Sequence, residues 1–245
     1  ESLVLSFARQ SALGGALRFI KNKIIVVASA LLLASCANTP ALDIPRIASY
    51  APAPDVSTPL AQQLATAQKE KGGQASSGSY LLSNGDEALA MRTSLNNNAK
   101  NTLDVQYHSI HAGISTALLT NETILAAHRG VKVRILIDGV DAQGTRSHID
   151  LIASHPNIEI RVYNPVKRLN GSFVTRNGMF LLHLKTLHRR MHHKMLVADG
   201  VVGLTGGRNI GNAYFSADES DNFSDLDVLL GGKAVAALEK SFDEY

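Results

Sequence analysis

"TLDVQYHSIHAGISTALLTNETILAAHRGVKVRILID", residues 102–138, reads as strand, helix, strand, and that reading decides the fold. In TLDVQY the residues Leu103, Val105 and Tyr107 alternate onto one face, the period of a strand with one side buried. From about Ile114 to Arg129 the period lengthens. Ile114, Ala117, Leu118, Ile124 and Leu125 make most of an apolar stripe, and Gly130 stands where helices commonly close. VKVRILID then returns to a strand, SHIDLIAS reads as a short helix and IEIRV as a further strand. Strands separated by helices pair in parallel through right-handed crossovers, so the fold class is α/β.

Working outward toward the N-terminus, a helix is expected from about Asp86 to Lys100, opened by the cap-like pair Ser83-Asn84. Before it, residues 37–79 turn to Ala, Pro, Ser, Thr, Gln and Gly, with APAPDVSTP and GGQASSGS as the clearest pieces. This composition predicts a flexible tether, carrying one short helix near Leu60 to Lys69. Residues 1–36 have another character. Lys21 and Lys23 precede the apolar run Ile24 to Leu33, which is too short to span a bilayer, and Ala34 and Ser35 lead into Cys36. Leu33-Ala34-Ser35-Cys36 resembles a bacterial lipobox. It implies that Cys36 carries lipid and holds the chain at a membrane surface, on the periplasmic side of the cell envelope. A plain signal peptide or a short buried helix is the alternative. As the single cysteine, Cys36 excludes an internal disulfide and any multi-cysteine metal site.

The formal net charge is only +3, but Lys167, Arg168, Arg176, Lys185, Arg189, Arg190 and Lys194 crowd together. Such a cluster suits an anionic partner, whether phosphate, lipid headgroup or nucleic acid, or simply faces water. The segment Asn164 to Arg190 interrupts the strand and helix pattern and reads as a long basic insertion near the functional face.

Next comes MHHKMLVADGVVGLTGGRN, residues 191–209. Asp199-Gly200 between two apolar runs predicts a two-residue hairpin turn, pairing 198 with 201, 196 with 203, 194 with 205 and 192 with 207. His192 and Lys194 then share a face, Asn209 continues past the strand end beside His192, and Gly206 and Gly207 leave bare backbone opposite the histidine. Imidazole, ammonium and carboxamide converge as a cradle for an oxyanion. Imidazole is able to give or take a proton near neutral pH, and lysine and asparagine stabilise phosphate oxygens without metal. In the later strand SDLDVLL, Asp225 or Asp227 is placed to fix the tautomer of His192.

Two other histidine groups stand out in the sequence. His188 and His192 are four apart, with His183 and His193 nearby, but that spacing ligates metal from a helix and the run after His193 reads as strand. No metal and no cofactor is expected. His193 is expected to point away from the Lys194 face. His108 and His111 follow the end of a strand, where α/β sites gather, and are either substrate-facing or solvent-exposed.

His192-x-Lys194-x4-Asp199, followed by Gly206-Gly207-x-Asn209, resembles the HKD motif of the phospholipase D superfamily. The flanks RRMHHKMLVADG, TGGRNIGNAYF and FSDLDVLL are similar to the bacterial cardiolipin synthase branch, over about residues 85 to 245. The resemblance implies a mixed, largely parallel sheet flanked by helices, forming one catalytic half-domain over 80–245. It implies that His192 attacks phosphorus to form a phosphohistidine, or protonates the leaving group, in concert with a second histidine. Lys194, Gly207 and Asn209 would bind phosphate and Asp225 would orient the imidazole, with Asp227 as alternate. Asp199 is expected to shape the turn, with Gly206 a structural member of the motif. Gly207 stands where many members carry serine.

No second His-x-Lys-x4-Asp occurs before Tyr245. The resemblance implies the first half of a longer protein, or a chain that completes its site by pairing with a second copy. The implied activity is phosphatidyl transfer between phospholipids, giving cardiolipin. Phospholipid hydrolysis is the near neighbour, a phosphodiesterase or nuclease is the second class, and an inactive fragment or binding module is the third. The lipid-anchor reading favours phospholipid over nucleic acid as the partner.

Overall fold

The computed structural model describes residues 47–73, 76–139, 149, 152–165 and 190–245. Its elements in chain order are α1 (Pro59–Glu70), β1 (Ser77–Leu82), α2 (Gly85–Asn98), β2 (Thr102–Tyr107), α3 (Ile114–His128) and β3 (Lys132–Asp138). They continue as β4 (Ile158–Tyr163), β5 (Met195–Ala198), β6 (Val202–Gly206), a 3-10 turn at Asn212–Tyr214, β7 (Asp227–Gly232) and α4 (Lys233–Asp243). Of the helix expected over 147–154, residues 149, 152 and 153 are helical. The expected signal segment with Cys36, and most of the basic insertion (166–189), lie outside the described residues.

The strand, helix, strand reading holds: β2 pairs with β3 and β3 with β4, both in parallel. Beyond them the sheet departs from the expected largely parallel arrangement. Its order is β1-β7-β6-β5-β2-β3-β4, and every pairing from β1 to β2 is antiparallel. The physical reason is the hairpin. A tight turn can only return β6 antiparallel to β5, and β7 and β1 extend that ladder.

Alternation along the strands separates two apolar layers. Leu103, Tyr107, Val133, Ile135, Ile137, Leu196, Ala198 and Leu204 face one layer, which also takes Ala88 and Leu95 of α2 and Ala126 and Ala127 of α3. Leu136, Met195 and Val197 face the other, closed by Val235 and Phe242 of α4. The α3 stripe is rotated from expectation. Ser115, Leu119, Thr123, Ala126 and Ala127 are buried, whereas Ile114 is 73% and Leu125 43% exposed. Small side chains let the helix lie close on the sheet and on α2, where Thr123 donates to the side chain of Asn96 (3.3 Å).

Residues read from composition as tether are in part folded. Thr58 caps α1 by accepting the N–H of Ala61 (3.3 Å), Leu60 and Ala61 join the main core, and Asp55 accepts from the side chain of Asn101 (3.1 Å). β1 then adds the edge strand. Composition misses this because small and polar residues pack as readily at a sheet edge as they dangle in solvent.

Candidate active site

The hairpin forms one residue out of the expected register. Ala198 pairs with Val202, Leu196 with Leu204 and Met195 with Thr205. Asp199 (φ 54°) and Gly200 (φ 67°) both take the left-handed conformation, the Val201 N–H closes the turn on the Ala198 carbonyl (3.1 Å), and Val201 is extruded from the ladder. Asp199 is held by more than its turn. Its carboxylate accepts the backbone N–H groups of Lys100, Asn101 and Thr102 at 2.7–3.1 Å, tying the loop between α2 and β2 to the hairpin. That makes a buried structural bracket (3% exposed) of the residue that ends the motif.

The slip changes what the glycines face. A β-carbon on Gly207 would overlap the Asp225 carboxylate, and one on Gly206 would overlap Asp227. Bare backbone here admits two carboxylates from the segment leading into β7, and it does not lie opposite His192.

His192 and Lys194 precede β5, the first exposed and the second only 5% exposed. The Lys194 ammonium donates to the His192 carbonyl (2.8 Å) and lies 3.2 Å from His192 Nδ1. An ammonium only donates, so Nδ1 is the accepting nitrogen of that contact and the neutral ring carries its proton on Nε2. The neighbouring Lys194 charge is the largest influence on His192 and lowers its pKa below the ordinary imidazole value, with burial, His108 and His193 adding to it and Asp138 opposing. Burial lowers the Lys194 pKa, and the facing Asp225 carboxylate pulls it back up.

Asn209 is 7% exposed, and its amide is largely committed within the chain. Oδ1 accepts the Ser109 N–H (3.1 Å) and Nδ2 donates to the Tyr214 hydroxyl (3.0 Å), which among the described residues leaves one N–H for a ligand. Asp225 accepts the N–H of Leu226 (2.7 Å). Asp227 is fully buried and paired with Arg92 (2.9 Å), with Arg208 at 3.5 Å. That leaves no carboxylate on Asp227 to spare for the histidine. His193 is exposed with its ring edge-on to Tyr245 (5.6 Å), on the other side of the segment.

Asp138 and Arg92 are not singled out by the sequence reading, whereas His111 is. Asp138 ends β3 and holds both Arg190 (2.6 Å) and the N–H of Met191 (2.9 Å). Arg92 lies in a buried stripe with Ala88 and Leu95, and a charge inside such a stripe was the signal for a buried ion pair. His111 bonds Ser109 Oγ (2.9 Å) and stacks near Tyr214 (6.3 Å).

An exposed imidazole beside a buried ammonium, with a carboxylate facing that ammonium, is equipped to bind a phosphoryl group and transfer it covalently. Residues 93–245 match the family described as Cardiolipin synthase, PLD-like domain. The chain is 41% identical over 169 residues to Cardiolipin synthase C of Escherichia coli strain K12, covering 69% of this chain and 35% of that protein. It is 29% identical over 147 residues to Cardiolipin synthase A of Pseudomonas entomophila, covering 60% and 28%. The chain therefore spans about a third of the length of the curated relatives it matches. Among solved structures, NucT from Helicobacter pylori superposes with a TM-score of 0.53 at 15% identity, over 69% of this chain and 94% of that one. A phosphatidylserine synthase from Haemophilus influenzae Rd KW20 superposes with a TM-score of 0.51 at 13% identity, over 74% and 41%. These two likenesses are of fold.

Proposed function

The chain belongs to the cardiolipin synthase family of PLD-like domains, and from that membership we propose that it carries half of a phosphatidyltransferase site acting on phospholipids. The observation that supports this best is the His192–Lys194 pair: a solvent-facing imidazole 3.2 Å from a buried ammonium whose charge lowers its pKa.

In the proposed reaction the His192 imidazole attacks the phosphorus of a phosphatidyl donor. A nitrogen–phosphorus bond forms, the bond to the leaving alcohol breaks, and a second imidazole supplies the proton that the alcohol takes. The hydroxyl of another phospholipid then attacks the phosphohistidine and gives its proton to that second imidazole, which yields cardiolipin and frees His192. Lys194 neutralises the non-bridging oxygens, with the remaining N–H of Asn209 beside it; Gly207, expected to share that role, has its N–H held by the Leu226 carbonyl (3.1 Å). As a phosphate oxygen draws the ammonium away from Nδ1, the ring proton moves there and Nε2 becomes the nucleophile. Asp225 faces Lys194 and is assigned to hold the ammonium, acting on the imidazole only through it, while Asp138 is the carboxylate that acts on the His192 ring.

The second imidazole belongs to a second motif, on the same longer chain or on a second copy. Cys36 as a lipid anchor at the periplasmic face of the envelope is part of the same proposal, and its support is the Lys21–Cys36 sequence. A site that recognises phosphate alone also admits other phosphodiesters, so nucleic acid is the competing substrate.

The test uses the complete protein with vesicles of labelled phosphatidylglycerol and, separately, with labelled DNA. The expected products are labelled cardiolipin and released glycerol, abolished by His192→Ala with the circular dichroism spectrum retained. Release of phosphatidic acid alone would move the assignment to hydrolysis. DNA cleavage without lipid turnover, or full lipid turnover by the alanine variant, would overturn it.

A further inference from the structure

Met191, immediately before His192, is completely buried. Both of its backbone polar groups are held by the ends of the parallel strands. Asp138, closing β3, accepts its N–H at 2.9 Å, and His108, one residue past β2, places Nδ1 2.9 Å from its carbonyl oxygen. Gln106 of β2 adds a contact from Nε2 to the Met191 sulfur (2.9 Å). A carbonyl only accepts, so Nδ1 is the protonated nitrogen of His108 in that bond. The same ring lies against the ring of His192, with centroids 4.5 Å apart and planes at 45°.

We propose that His108 is the positioning residue of His192, clamping the peptide group in front of it and packing against its ring so that the imidazole faces one direction. This inference rests on His192 being the reacting group. With Nδ1 committed to the Met191 carbonyl and its ring packed on that of His192, His108 exerts its effect through His192.

Among the described residues, the charged and titratable groups that act on His192 are Lys194 and His193 on its own segment, His108 after β2 and Asp138 at the end of β3, of which Asp138 favours a cationic ring. Replacing His108 removes one group that opposes protonation of His192 and one wall that holds the ring with Nδ1 toward the Lys194 ammonium.

The test is a pH titration of the imidazole 15N resonances of His192 in the 245-residue chain, comparing wild type with His108→Phe and His108→Gln. Phenylalanine keeps a packed ring and loses the hydrogen bond; glutamine keeps a donor for the Met191 carbonyl and loses the ring. Wild type is expected to titrate as one predominant tautomer with a midpoint below about 6.5. His108→Phe should raise that midpoint by several tenths of a pH unit and mix the tautomers, and His108→Gln should restore part of the tautomer preference. A His192 titration and tautomer pattern identical to wild type in both variants would overturn the proposal. The experiment contains no lipid, so that result would leave phosphatidyl transfer standing, and failure of transfer would not alter it.

Discussion

Arg92 sits completely buried where α2 meets the sheet, and several groups depend on it at once. Its guanidinium pairs with Asp227 (2.9 Å), donates to the Tyr107 hydroxyl (2.9 Å) and to the Ala88 carbonyl (2.9 Å), and lies 5.0 Å from the centre of the Phe215 ring. Removing it leaves Asp227 buried with Arg208 as its remaining partner, at 3.5 Å. Arg92→Met should therefore cost about 3 kcal/mol in urea unfolding, the usual scale for stranding a buried charge; a loss below about 0.5 kcal/mol would contradict this role. The apolar stripe marks Arg92 as a charge in need of a partner, but 135 positions of chain separate it from Asp227, so the sequence does not display which carboxylate that is. The contact of His192 with Lys194 was legible for the opposite reason: two positions apart on one extended segment, the two are brought together by local geometry. What that spacing did not reveal was the Asn209 amide, which serves the loops at Ser109 and Tyr214 as much as any ligand.

At the scale of the element, the hairpin shows how a correct turn coexists with a wrong register. Asp-Gly supplies two left-handed residues, as expected, yet Val201 leaves the ladder, so each cross-strand partner moves by one and the glycines turn to Asp225 and Asp227. Turn chemistry fixes the two central residues, whereas a bulge is decided by the neighbouring strands. Asp199 joins this element to the loop before β2 through three backbone N–H groups. Asp199→Ala is expected to lose about 2–3 kcal/mol of stability, since hydrogen bonds to a charged acceptor are among the stronger ones. Asp199→Asn, which tolerates the same backbone and keeps one acceptor, should lose about half of that. Equal losses in the two variants, measured by thermal unfolding, would show that the carboxylate does not bracket the loop. The α3 stripe was misjudged by similar logic. Period alone identified the helix, but the side that packs is chosen by α2 and the sheet, which accept Ala126 and Ala127 and leave Ile114 outside.

Across the whole molecule, the α/β class and the parallel β2-β3-β4 half followed from the alternation of strand and helix, while the antiparallel half depended on long-range partners such as β1 with β7. The far side of the sheet carries a charge arrangement with a pH consequence. Glu239 of α4 has a carboxylate oxygen without a hydrogen-bond partner among the described residues, and its pKa is raised to about 7 by burial first and by Asp104 and Asp243 next, with Arg134 opposing. A carboxyl group whose folded pKa exceeds its unfolded value of 4.5 holds its proton more tightly when folded. Its burden on stability is absent below that lower value, grows as pH rises between the two and is complete above about 7. Glu239→Gln should therefore raise unfolding stability at pH 8 by on the order of 1 kcal/mol and change it little at pH 4; a gain of the same size at both values would refute the assignment.

The central claim is that His192 captures the phosphatidyl group covalently. It is tested most directly by rapidly quenching the complete protein with labelled phospholipid, digesting it under mildly alkaline conditions and locating the modified peptide by mass spectrometry. The expected result is an acid-labile phosphatidyl adduct on His192, carried by the peptide containing His192 and Lys194 and lost in His192→Ala. Rapid turnover with no adduct trapped on that peptide, or an adduct on another residue, would contradict it.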